Sequence, residues 1–276
     1  MRVYGLDFTS APSKRKPITC AVCELKEDLL TVESLDVFTN FGQFEAFLIR
    51  HGPWVAGIDA PFGQPRKFIE NANLPRTWPG YVSELKSLGK PGFAAFVSNY
   101  QAGREPGDKE HLRVCDRLAG AISPMKLSFV PVGKMFFELA PRLLDSGVCV
   151  PPLQNGDKTR VVLETYPGVL VRSLIGKLSY KNDAAAKQTP LQRQARARIL
   201  DAIDGEAFRE TYGVQLGLSS RLKESLLADA KADTLDALLC AVQAAWAYGQ
   251  EGFGIPDKAD GLEGWIADPH LLHKKL

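Results

Sequence analysis

Three observations predict an α/β fold built on a mixed sheet. Three β-rich runs open the chain, Arg2–Asp7, Ile18–Leu25 and Leu29–Phe38, joined by connections short enough for an antiparallel meander. A helical pattern and a further apolar run then follow at once, and strand–helix–strand is the unit of a parallel pair with a right-handed crossover. The first and fourth runs also end alike, Gly5-Leu-Asp7 and Gly57-Ile-Asp59, so the fourth strand belongs beside the first.

Each element has its own signature. The first strand is β-branched and aromatic and is stopped by Thr9-Ser10-Ala11-Pro12; the basic turn Ser13–Pro17 leads into the second. Asn40 is a candidate N-cap for a helix over Phe41–Arg50, where Phe41, Phe44, Phe47 and Leu48 recur at helical spacing until Gly52-Pro53 ends it. From Gly63 to about Arg160, Pro and Gly punctuate short helical candidates, among them Asp108–Leu118 and Gly133–Leu144. Residues 64–160 hold 14 Lys/Arg against nine Asp/Glu, a basic segment in a chain whose remainder is slightly acidic. It reads as an insertion that forms a lid or substrate platform, or as a solvated helical excursion. A strand returns at Arg160–Tyr166, followed by helical material over Gly168–Ile175, a basic stretch Lys187–Arg198 running into Ile203, and an Ala- and Leu-rich helix over Asp229–Tyr248.

Composition narrows the classes. With 276 residues, 45% hydrophobic and 24% charged, the chain matches an ordinary globular protein. A net charge of +2 gives no argument for a polyanionic partner beyond the local basic segment. No apolar run reaches the roughly 18 residues of a membrane span, and Asp7 with Lys14-Arg-Lys16 interrupts any signal-peptide core, so a cytoplasmic location is expected. The five cysteines, odd in number and scattered, read as reduced thiols. Cys20 and Cys23 lie three apart in one strand, on opposite faces, and read as small apolar residues. No phosphate-binding loop, dinucleotide fingerprint or nucleophile elbow is present. His51, His111, His270 and His273 show no metal-ligand spacing, although His111 could protonate a leaving group.

The carboxylates carry the functional argument. Asp7, Asp59 and Glu164 each end a strand, and Asp233 and Asp236 share one face near the start of the last long helix. Singly, each reads as a turn, cap or helix-dipole residue. Together they would repel unless a cation or a shared proton joined them, and hard ions such as Mg²⁺ or Mn²⁺ favour carboxylate oxygens. Two such ions, about 3.5–4 Å apart, can clamp the attacking and leaving oxygens of a phosphodiester. Thr9 and Ser10 are candidates to bind phosphate or simple turn formers. Arg113 and Arg117, on one predicted helix with Asp116, are candidate phosphate contacts or part of a solvated face.

Gly5-Leu-Asp7, Gly57-Ile-Asp-Ala-Pro61, Glu164-Thr-Tyr-Pro167 and Asp233-Thr-Leu-Asp-Ala-Leu-Leu-Cys-Ala241 resemble the markers of domain-of-unknown-function family 429. The resemblance runs from Arg2 to about Tyr248 and is loose over Gly63–Arg160. It implies a ribonuclease H-like mixed five-stranded sheet, with residues 1–63 and 160–250 as the core, 64–159 as a helical insertion and 251–276 as a tail. It further implies a metal-dependent nuclease or phosphodiester hydrolase, with Asp7, Asp59, Glu164 and Asp236 catalytic and Asp7, Asp59, Asp233 and Asp236 around Mg²⁺ or Mn²⁺. Nucleic acid or a nucleotide is the implied partner. Two alternatives stand beside it: a nucleotide-binding or small-molecule phosphotransferase of the related actin and sugar-kinase type, which needs a second domain or a dimer, and a non-catalytic binding module with structural Asp residues.

Overall fold

Strand alternation sorts the opening residues onto two faces. In β1 (Arg2–Asp7), Val3 joins one buried cluster while Tyr4 and Leu6 join another, as period-2 side-chain placement requires. The computed structural model describes residues 1–272; His273 lies outside them. The other strands are β2 (Ile18–Lys26), β3 (Leu29–Phe38), β4 (Trp54–Asp59), β5 (Val148–Cys149), β6 (Asp157–Thr165) and β7 (Gln215–Gly217). The helices, in order, are α1 (Phe41–Leu48), α2 (Arg66–Asn71), α3 (Trp78–Ser87), α4 (Gly89–Ala102), α5 (Val114–Ala119) and α6 (Val132–Ser146). They continue with α7 (Pro167–Ile175), α8 (Pro190–Ile203), α9 (Glu206–Tyr212), α10 (Ser220–Ala228), α11 (Asp233–Tyr248) and α12 (Pro269–Leu272).

The sheet has seven strands in the order β5-β6-β4-β1-β2-β3-β7. Antiparallel β1–β2–β3 come first, and β4 lies parallel to β1 in the matched register Gly5↔Gly57 and Asp7↔Asp59. β6 then runs parallel to β4. The expected count of five is thus exceeded by β5 and β7, edge strands of two and three residues, too short to carry a readable alternation.

One face is covered by α1 and by α3, α4 and α6 from the basic segment, around Phe44, Phe47, Tyr81, Phe93 and Phe136. The other is covered by α11, with Leu226 of α10, Ile199 of α8 and Phe208 of α9. Cys20 sits in the first cluster and Cys23 in the second, on opposite faces; all five thiols are free and buried. No described helix is long and apolar enough to cross a membrane.

Two helix starts lie well beyond the expected ones. The helix expected over Asp108–Leu118 shrinks to α5, because Arg113 is extended (φ −65°, ψ 165°) and its own N–H is taken by the Asp116 carboxylate at 2.9 Å. The helix expected from Asp229 starts at Asp233, because Ala232 turns left-handed at φ 59°. Asp229 instead accepts from the Thr234 backbone N–H at 3.1 Å and from its hydroxyl at 2.8 Å, holding the start of α11 from outside.

Candidate active site: a carboxylate cleft with a built-in ammonium

Asp7 and Asp59 are neighbours because β1 and β4 pair in parallel with those residues opposite one another. Gly5 and Gly57, two residues earlier, lie on the same face of the sheet. A Cβ at Gly5 would stand 2.0 Å from the Ala237 carbonyl oxygen, and one at Gly57 would stand 2.4 Å from that of Cys240. The paired glycines therefore let α11 settle onto the backbone of β1 and β4. That approach brings Asp236, near the helix start, to the two strand-end carboxylates.

Asp236 is fully buried and fully committed. The Tyr180 hydroxyl donates to its Oδ1 at 2.7 Å, and the Lys181 ammonium pairs with its Oδ2. Tyr180 and Lys181 lie between α7 and α8, and α8 holds their backbone in place. Arg196 Nη1 donates to the Tyr180 carbonyl at 2.7 Å, and Gln192 Nε2 to the Lys181 carbonyl at 3.0 Å. Lys16 and Asp183 pair at 2.8 Å beside them. Asp233 is half-exposed one turn earlier, and its charge adds to the field at Asp7.

Among the described residues, no donor reaches the Asp7 or Asp59 carboxylate. Burial first, and then the charge of Asp236, pushes the Asp7 carboxyl well above the usual range. The same two causes, in that order, push Asp59 up to about 7, against the pull of Lys181. Three carboxylates thus face one ammonium. Their hard oxygens suit Mg²⁺ or Mn²⁺ in kind. As arranged, no three His, Cys, Asp or Glu side chains among the described residues form a ready metal cage. Asp236 would have to exchange Lys181 for the ion.

Glu164 does not join this group. In the β4–β6 register it lies opposite Ile58, one residue out of phase with Asp59, so it points to the other face. There Arg113 holds it. Nη1 donates to Oε2 at 2.8 Å, Nη2 donates to Oε1, and the Phe62 N–H adds a bond of 2.9 Å. Burial raises the Glu164 carboxyl, opposed by the Arg113 charge. Arg113 also grips Asp116 through Nε at 2.9 Å and Nη2 at 2.8 Å, and both are buried. The expected solvated face is therefore absent at Arg113: it is a structural clamp between α5 and β6.

The remaining candidates scatter. Thr9 is buried, and the Ser10 carbonyl accepts from Lys90 at 3.1 Å. Arg117 donates to the Leu112 carbonyl at 2.9 Å and lines a separate surface hollow with His111. His111, its pKa lowered by burial, sits 2.8 Å from the Tyr100 hydroxyl.

A family description covering residues 5–260, protein of unknown function (DUF429), matches the sequence. The chain belongs to the DUF429 family. Comparison with curated proteins and with solved structures returned no match. In this DUF429 chain, sequence reasoning passed over Tyr180 and Lys181, which lie in a polar loop without a motif. It also missed Glu263, whose carboxylate accepts from the Arg66 N–H at 2.7 Å and the Val114 N–H at 2.8 Å, tying the C-terminal stretch to the basic segment.

Proposed function

We propose that this DUF429 chain is a divalent-cation-dependent phosphodiester hydrolase on a ribonuclease H-like core. The observation that carries the reading is the in-register pair Asp7 and Asp59 on adjacent central strands, without a donor among the described residues and faced by Asp236. The order of the five inner strands, three antiparallel and then parallel β4 and β6 beside β1, supports the core assignment.

When bound, Mg²⁺ or Mn²⁺ supplies Lewis-acid activation of water and neutralises charge at the phosphate. Asp7 and Asp59 are the side chains that would hold it, with Asp236 completing the set. Tyr180 orients Asp236 through its Oδ1. Lys181 balances the charge of Asp236, and its ammonium would be at hand for an anionic substrate if Asp236 held the ion. Glu164, neutralised by Arg113, keeps β6 and the loop after β4 in place and takes no direct part.

Hydrolysis of bis(p-nitrophenyl) phosphate in Mn²⁺ tests the reading without assuming a natural substrate. Loss of a group that merely orients a metal ligand costs about 10–100-fold; Asp7→Asn, which removes a ligand, is expected to lose at least that much. Its melting temperature should hold or rise, since a half-buried charge is gone. A wild-type protein that cleaves neither this diester nor DNA nor RNA in Mg²⁺ or Mn²⁺ would end the hydrolase reading.

A further inference from the structure

Beside Asp59, on the side away from Asp7, lies a cavity of about 500 Å³. That is within the range of small-ligand sites, about 300–1,000 Å³. Its walls are mainly apolar, with buried Val171 and half-buried Met135 beside the more exposed Ile122, Val130 and Leu178. The last three are 40–49% exposed. Phe129, next in the chain to Val130, is 98% exposed and held at φ 62°, a conformation that bulky residues rarely adopt. Tyr166 and Tyr180 add aromatic surface; Lys181, paired with Asp236, brings positive charge to the Asp59 side, and Lys177 adds an exposed ammonium to the lining.

An aliphatic chain would use the apolar walls and leave the exposed Lys177 ammonium idle. A bare phosphate would use the charges and leave the walls wet. A flat heterocycle carrying a phosphate uses both. Proteins that take a single base out of a strand hold it between aromatic and apolar side chains, and Lys neutralises the phosphate that follows. A paired base cannot enter a slot of this kind.

The geometry points to an unpaired nucleotide as the ligand of this cavity: the base lies between the apolar walls and Tyr166, with its phosphate toward Lys177, Lys181 and Asp59. The assignment rests on the hydrolase reading only for which phosphate is cleaved. It narrows the substrate to a free nucleotide or a single strand, and excludes a duplex.

Fluorescence titration of the full chain tests this with three probes: 2-aminopurine riboside 5′-monophosphate, a single-stranded oligonucleotide carrying one 2-aminopurine, and the same strand in a duplex. Stacking in the cavity quenches the probe, so saturable quenching is expected for the first, the second or both, and at least tenfold weaker for the duplex. Quenching by the monophosphate alone assigns a free nucleotide; quenching by the strand alone assigns single-stranded nucleic acid. Leu178→Asp and Ile122→Glu, at exposed rim positions, are each expected to weaken binding at least tenfold. Ile49→Glu, at an exposed position outside the cavity, is expected to retain it. No saturable quenching, equal quenching by the duplex, or unchanged binding in both rim variants would overturn the proposal. Failure here alongside Asp7-dependent diester cleavage would leave the hydrolase reading standing, and binding without cleavage would remove the hydrolase reading alone.

Discussion

A carboxyl that titrates near 7 in the folded chain and near 3.8 in an unfolded one ties stability to pH, and Asp59 is such a group. Between those values the folded state holds the proton more tightly, so the folded state is favoured at low pH. That advantage is lost as pH rises through the window and is gone above about 7. Asp7 is shifted in the same direction, by burial first and Asp236 second. Melting curves in EDTA at low salt are expected to show stability falling from pH 5 to pH 8, less steeply in Asp59→Asn. Mg²⁺ at pH 8 should recover part of the loss in the wild type and less in the variant. Parallel pH profiles for the two proteins would mean that Asp59 is ordinary. The same scale explains why Glu164 misled. Its place at a strand end before a Pro is visible in sequence, but side-chain direction depends on a register with β4 that only the paired sheet defines.

At the scale of elements, the contact of α11 with β1 and β4 decides whether the cleft exists. Overpacking usually costs about 1–3 kcal/mol and sometimes more. A methyl at Gly5 would meet backbone atoms of both Ala237 and Ala241, which cannot rotate away. Gly5→Ala is therefore expected to cost about 3 kcal/mol or more, read as a lower urea midpoint. It should also weaken Mn²⁺ binding, because α11 carries Asp236 away from the strands. A Gly5→Ala protein with wild-type stability and Mn²⁺ response would show that the helix has room to shift. The motif Gly-x-Asp was legible as a pair of strand ends. Its glycine, however, serves the helix that arrives some 230 residues later, and no local pattern announces that.

Across the whole molecule, Arg113 links the basic segment to the sheet, and Glu263 links the C-terminal stretch to the basic segment. Removing one member of a buried ionic group leaves the others charged and unpaired, typically at a cost of about 3–5 kcal/mol. Arg113→Ala is expected to fall in that range by chemical denaturation. Replacing all three of Arg113, Glu164 and Asp116 with apolar residues of similar size should recover much of the loss. If Arg113→Ala costs less than about 1 kcal/mol, the clamp is not what holds the basic segment in place. Sequence by itself determined the mixed sheet, an antiparallel β1–β2–β3 with β4 parallel beside β1, the adjacency of Asp7 and Asp59 and the presence of Asp236 near a helix start. These rest on local periodicities, short connections and a repeated Gly-x-Asp strand end, all of which are read directly along the chain. Only tertiary structure decided that Glu164 belongs to Arg113, that Lys181 pairs with Asp236, and that a cavity opens beside Asp59. Each of these depends on which face a side chain takes and on what distant segment meets it there.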